Sequence, residues 1–146
     1  MHPNAILYPV FGMFLLTAMV LTRLAILRVG AVRGRMIKMS YYRFYLADGS
    51  ENDSMFFTSR NFINLFELPV LFYVVTVLIY VTGVVDLGFV VLAWLYVILR
   101  SVHSYLHVTS NYVPRRFNVY MMSAFILLVL WGKLAIHIIV LGEGGA

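Results

Sequence analysis

Four apolar stretches, each long enough to cross a bilayer as a helix, restrict this chain more than any other feature. They cover about residues 6–27, 58–81, 88–109 and 119–141. At about 1.5 Å of rise per residue, some 20 apolar residues cross the roughly 30 Å hydrocarbon layer. Within that layer each backbone N–H and C=O must be satisfied by the protein itself, so uninterrupted runs of this length are read as helices. Composition agrees: 62% of residues are apolar and 12% charged, where a soluble domain has about half and a quarter. The expected fold is all-α, a four-helix transmembrane bundle in an integral, multi-pass membrane protein, with residues 1–146 forming one domain.

The charges then orient the bundle. Six Arg and Lys residues lie from Arg28 to Arg60, and Arg115 and Arg116 follow in the connection SNYVPRRF. The turn TGVVDL between the second and third spans has none. By the positive-inside rule the first and third connections face the cytoplasm and both termini the opposite side, the expected setting being a bacterial inner membrane. The net charge of +5 is therefore read as orientation and contact with anionic lipid headgroups, not nucleic acid. The loop 29–57 interleaves Arg33, Arg35, Lys38 and Arg43 with Tyr41, Tyr42, Phe44 and Tyr45, a pattern expected to lie in the membrane interface. Asn52-Asp53-Ser54 fits a glycosylation sequon, but a cytoplasmic loop is not glycosylated, so the match is read as chance. The opening MHPNAILYPVF has neither a basic start nor a small-residue cleavage site and reads as a retained helix. There is no cysteine, so thiol chemistry requires a bound thiol.

Polar residues inside the spans point to function, because an ionisable group at membrane depth costs about 2.5–3.5 kcal/mol unless it is paired or hydrated. Arg60, Asn64 and Glu67 stand at i, i+4 and i+7 on one face of the second span. Arg100, His103 and His107 stand at i, i+3 and i+7 on the third. Glu67 is expected to lie about 10 Å below the cytoplasmic face and Arg100 slightly deeper, with the two paired. Pro69 is expected to kink the second helix by removing one backbone hydrogen bond. Arg23 and Arg28 are expected to snorkel, with an inward turn of Arg23 toward an anion as the alternative. Lys133 and His137, four apart in the last span, are expected to snorkel or pair locally.

Three chemistries suit a cluster of Arg60, Asn64, Glu67, Arg100, His103, His107 and Arg116. An ion pair between Glu67 and Arg100 would fix helix register. Two imidazoles with a carboxylate could hold a metal, although no metal site is expected from so few histidines. An anionic ligand that also carries an ammonium would be met by Glu67 at the ammonium and by arginines at its carboxylates. Glutathione has that charge pattern and carries a thiol.

The same residues resemble a family, the membrane-associated proteins in eicosanoid and glutathione metabolism (MAPEG), over nearly the whole chain. Its members carry Arg-x3-Asn-x2-Glu closely followed by Pro on the second helix, matched by Arg60, Asn64, Glu67 and Pro69. The microsomal prostaglandin E synthase and microsomal glutathione transferase branch carries Arg-x2-His-x3-Tyr and then Pro-x-Arg-Ser. Here those positions hold Arg100, His103, His107, Pro114, Arg116 and Phe117, so His replaces Tyr and Phe replaces Ser. The resemblance implies a homotrimer with glutathione between neighbouring subunits near the cytoplasmic leaflet. It implies Arg60, Asn64, Glu67, Arg100, His103 and His107 as glutathione-binding positions and Arg116 as the catalytic residue that stabilises the thiolate, with Arg115 as its substitute in a shifted register. The implied activity is glutathione-dependent transfer or peroxide reduction on a hydrophobic or lipid electrophile arriving from the bilayer. The alternative is a non-catalytic membrane protein that binds a lipid or partner subunit.

Overall fold

The computed structural model describes residues 2–37, 41, 52–110 and 112–141. A 3-10 turn, Pro3–Ile6, leads into α1 (Leu7–Arg33); α2 (Asp53–Asn64) and α3 (Leu68–Val81) follow, then α4 (Leu87–Val108) and α5 (Val113–Ile136), which ends in a π turn, His137–Leu141. Taken as spans these are Pro3–Arg33, Asp53–Val81, Leu87–Val108 and Val113–Val140, all long and apolar enough to cross a membrane. Most of Lys38 to Glu51, where an interfacial segment is expected, lies outside the described residues.

Three helices begin or end outside the apolar runs, each for a local reason. Helix α1 continues to Arg33, beyond Leu27, because hydrogen bonding along a helix does not stop where the apolar residues do. Helix α2 starts at Asp53 because the Asn52 side chain caps it, accepting from the Met55 N–H at 2.9 Å. The asparagine of the sequon is thus a helix cap. Helix α5 starts at Val113, ahead of the expected Val119, with Pro114 in its first turn. There a missing N–H costs nothing and the fixed φ suits the helix.

The second span is broken, not bent. Leu65, Phe66 and Glu67 leave the helical path between α2 and α3. Phe66 and Glu67 donate their N–H groups three residues back, to Ile63 and Asn64, at 2.9 and 3.3 Å. The cause is Pro69, two residues into the new helix: its ring excludes the carbonyl four residues earlier, that of Leu65, and it has no N–H to offer. The expected kink therefore falls one turn before the proline, and it turns Glu67 to the exposed surface of the chain.

The core is a seam of residues from every span: Met13, Leu16 and Val20 of α1, Phe72, Val75 and Ile79 of α3, Phe89, Ala93 and Tyr96 of α4, and Leu127, Leu130 and Leu134 of α5. In lipid such a seam gains from close packing and not from leaving water. Gly12 shows how close: a Cβ there would stand 3.3 Å from both Trp94 and Val97 of α4. The Phe72 and Tyr96 rings stack at 4.6 Å. A smaller cluster, Leu24, Ala31, Ile37 and Met55, joins the far end of α1 to α2. Side chains such as Phe11, Met19, Ile98 and Leu128 point away from the seam and are exposed, as lipid-facing residues are.

Candidate ligand cavity

The polar faces read from the sequence do meet, at the end of the bundle where α2, α4 and the start of α5 come together. A cavity of about 370 Å³ opens there. Arg60, Asn64, Glu67, His107 and Arg116 form its polar wall, and Phe56, Phe57 and Ile63 its apolar wall. The volume is in the range of small-molecule sites, roughly 300–1,000 Å³.

Arg100 and His103 stand behind that wall. The Arg100 side chain is completely buried. Its Nη1 donates to Asn64 Oδ1 at 3.0 Å and its Nε to the Tyr96 hydroxyl at 3.1 Å. The guanidinium also lies 5.0 Å from the Tyr120 ring centroid and 5.6 Å from that of Tyr96. Asn64 in turn donates from Nδ2 to Glu67 Oε2 at 2.8 Å. The expected direct ion pair between Glu67 and Arg100 is therefore not formed, and Asn64 stands between them. A guanidinium only donates and a carboxylate only accepts, so Asn64 serves both with its two ends and its amide orientation follows. The break before Pro69 is the physical reason, since it carries Glu67 outward while Arg100 stays inside.

Arg116 is held by both histidines. Its Nη1 lies 3.4 Å from His107 Nε2, and its backbone carbonyl lies 3.2 Å from His103 Nδ1. The imidazoles meet edge to face at 5.8 Å. Arg60 stacks over Phe56 at 5.4 Å. Among the described residues no three His, Cys, Asp or Glu side chains gather closely enough to share an ion.

Arg23 does not take the alternative inward turn; it is exposed and lines an apolar groove on the outer face of α1 with Leu15, Met19 and Ile26. Lys133 does not pair locally but reaches across to Asp86. Phe117, at the position held by Ser in the resembling branch, is exposed, and it does not line the cavity.

Some contributors were not singled out in the sequence. Asn61 and Ser104, both buried, are joined at 2.6 Å, and Tyr96 and Tyr120 cradle Arg100. Ser104 is four residues after Arg100, so the helical periodicity that placed His103 and His107 also placed it. The tyrosines had no such mark, because an aromatic residue in an apolar span reads as core.

The cavity lining carries both signs of charge. A carboxylate and two guanidinium groups line the same cavity, and behind or within the wall Arg100 Nη2, His103 Nε2 and His107 Nδ1 are buried with no hydrogen-bond partner among the described residues. Buried polar atoms are seldom left so, and several together mark a place where another molecule or water supplies the bonds.

Fold and site together define an all-α membrane bundle with a charged cavity set into one end. The sequence signature of the MAPEG family matches residues 6–136, and the chain belongs to that family. No curated protein and no solved structure matches it.

Proposed function

We propose that this protein is a membrane glutathione-dependent transferase or peroxidase of the microsomal prostaglandin E synthase and glutathione transferase branch, acting on a hydrophobic electrophile. The observation that carries the reading is the cavity wall, which Glu67 shares with Arg60 and Arg116. Glu67 takes the ammonium, and Arg60, steadied on Phe56, takes a carboxylate through its planar fork. Asn64, fixed by Arg100, keeps the carboxylate of Glu67 turned to the cavity. Arg100 and His103 serve from behind the wall, Arg100 through Asn64 and His103 through the Arg116 carbonyl.

Glutathione supplies the nucleophilic sulfur that the chain lacks. A free thiol has a pKa near 8.5 and is mostly protonated at neutral pH; a neighbouring guanidinium lowers that value. Arg116 supplies this charge. Phe56, Phe57 and Ile63 give an electrophile arriving from the bilayer an apolar surface to lie against. We infer a homotrimer, in which a neighbouring subunit closes the open side, with the cavity toward the cytoplasm and both termini opposite.

A second reading has support of its own. The Asn64–Arg100 and Asn61–Ser104 bonds tie α2 to α4, and a cluster that only fastened helices in a lipid- or partner-binding protein would show them too. Arg116→Ala separates the readings, because Arg116 faces the cavity. Conjugation of glutathione to a hydrophobic aryl halide is expected to fall about 100-fold in kcat, with the oligomer and melting temperature unchanged. Turnover equal to wild type would rule out the proposed role of Arg116, and absence of turnover in wild type across a panel of electrophiles and peroxides would favour the non-catalytic reading.

A further inference from the structure

The two histidines do something the cavity wall alone does not explain. Arginine cannot accept a hydrogen bond, so in the 3.4 Å contact Arg116 Nη1 donates and His107 Nε2 accepts. A neutral imidazole that accepts at Nε2 carries its hydrogen on Nδ1. The Arg116 carbonyl likewise only accepts, so His103 donates to it from Nδ1, at 3.2 Å. One residue is thus gripped twice, by its backbone through His103 and by its guanidinium through His107. Both grips come from α4, one turn apart, onto the first turns of α5.

We propose that His107 is the positioning residue for Arg116, holding its guanidinium at the cavity wall through a bond that only the neutral imidazole makes. Protonation of His107 removes the accepting lone pair and sets one cation against another, so the grip opens on acidification. His103 donates in either protonation state and keeps the backbone in place. Among the described residues, the charged and titratable groups that share the cavity wall with His107 are Arg116 from α5, Arg60 from α2 and Glu67 from the break, with His103 beside it on α4. A 3.4 Å bond is long, as such bonds are before a ligand draws the partners together. His107 stands where the resembling branch has tyrosine, whose hydroxyl does not change charge in this pH range; the acid-sensitive grip belongs to this chain. Its catalytic consequence rests on the glutathione reading, but the bond itself does not.

Two measurements test it. Long-range proton–nitrogen correlation spectra of the ligand-free protein in detergent report imidazole tautomers. The expected result at neutral pH is the Nδ1–H form for His107, giving way to imidazolium on acidification together with a shift of the Arg116 side-chain resonances. A His107→Gln control, which keeps an acceptor that does not titrate, should leave the Arg116 resonances unmoved by pH. An Nε2–H tautomer at His107, or Arg116 resonances indifferent to its protonation, would overturn the proposal. The second measurement is the ultraviolet thiolate absorbance of bound glutathione. At saturating glutathione, His107→Leu should lower the bound thiolate at neutral pH about tenfold, and His107→Gln should restore it. An undiminished thiolate signal in His107→Leu would also overturn the proposal. Failure of glutathione to bind wild type would count against the functional reading, and the tautomer spectrum would still decide the grip.

Discussion

The two ends of the bundle hold their charges in opposite ways. At one end Asp86 caps α4, accepting from the Phe89 N–H at 2.8 Å, and its other oxygen meets Lys133 of α5 directly. The lysine also lies 3.8 Å from the Phe89 ring centroid. At the other end the carboxylate of Glu67 is held by an amide, and the guanidinium of Arg100 by that amide, a phenol and two aromatic rings. Charges paired with each other fasten helices and have little left to offer. Charges held by neutral groups keep their charge, and where they face a cavity they remain available to a ligand.

This contrast orders the effects of substitution. The largest is expected at Arg100. Arg100→Ala empties a fully buried site and leaves Asn64 Oδ1 and the Tyr96 hydroxyl without their donor, a loss of about 2–4 kcal/mol seen as a marked drop in melting temperature in detergent. A variant as stable as wild type would mean that the polar end does not depend on its buried cation.

Glu67→Gln sharpens the distinction, since direct pairing with Arg100 would make it nearly as damaging. With Asn64 interposed and Glu67 exposed, it is expected to cost about 1 kcal/mol or less in stability while weakening glutathione binding about tenfold through loss of the ammonium partner. Calorimetry on a variant whose melting temperature is also recorded separates the two effects.

At the paired end, Asp86→Asn keeps a good helix cap but removes the ion pair. Because the pair is partly exposed, the loss should stay below about 1 kcal/mol, with no change in ligand binding. Burial by itself would raise the Asp86 pKa; the bond to Lys133, with the Phe89 N–H, outweighs it and holds the carboxyl below its ordinary 3.8. A group depressed on folding stabilises above its unfolded pKa, so this contribution is present at neutral pH and fades as pH falls through 3.8 and below the folded value. Thermal melts of wild type and Asp86→Asn should therefore converge in acid; a constant gap would contradict the ion pair. Smallest of all is Gly88→Ala. A Cβ there would stand 3.1 Å from Lys133 Nζ and 3.2 Å from Asp86 Oδ1, but the lysine is flexible, so a few tenths of a kcal/mol are expected, read as a slight change in melting temperature.

Much of this contrast was legible in the chain. Helical periodicity put Arg60, Asn64 and Glu67 on one face and Arg100, His103 and His107 on another, and four apolar runs required a bundle. The partners were harder to read. A carboxylate and a guanidinium at similar depth read as a pair, and nothing in the one-dimensional pattern shows that the break before Pro69 turns Glu67 outward and leaves Asn64 to bridge. Helix ends were missed for a related reason. Hydropathy marks where hydrocarbon begins, whereas Asn52 and Pro114 mark where hydrogen bonding begins, and at α2 and α5 these differ by about one turn or more. Lys133 was read against its sequence neighbour His137, since its partner Asp86 is 47 residues away.

The measurement that bears most directly on the central claim is glutathione binding by calorimetry to purified protein in detergent, with Arg60→Ala and Asp86→Asn beside wild type. The cavity account predicts a Kd between about 1 μM and 1 mM for wild type, weakened about tenfold or more in Arg60→Ala and unchanged in Asp86→Asn. No heat of binding from a well-folded wild-type protein, or equal affinity in all three, would contradict the claim that the charges of the polar end are held for this ligand.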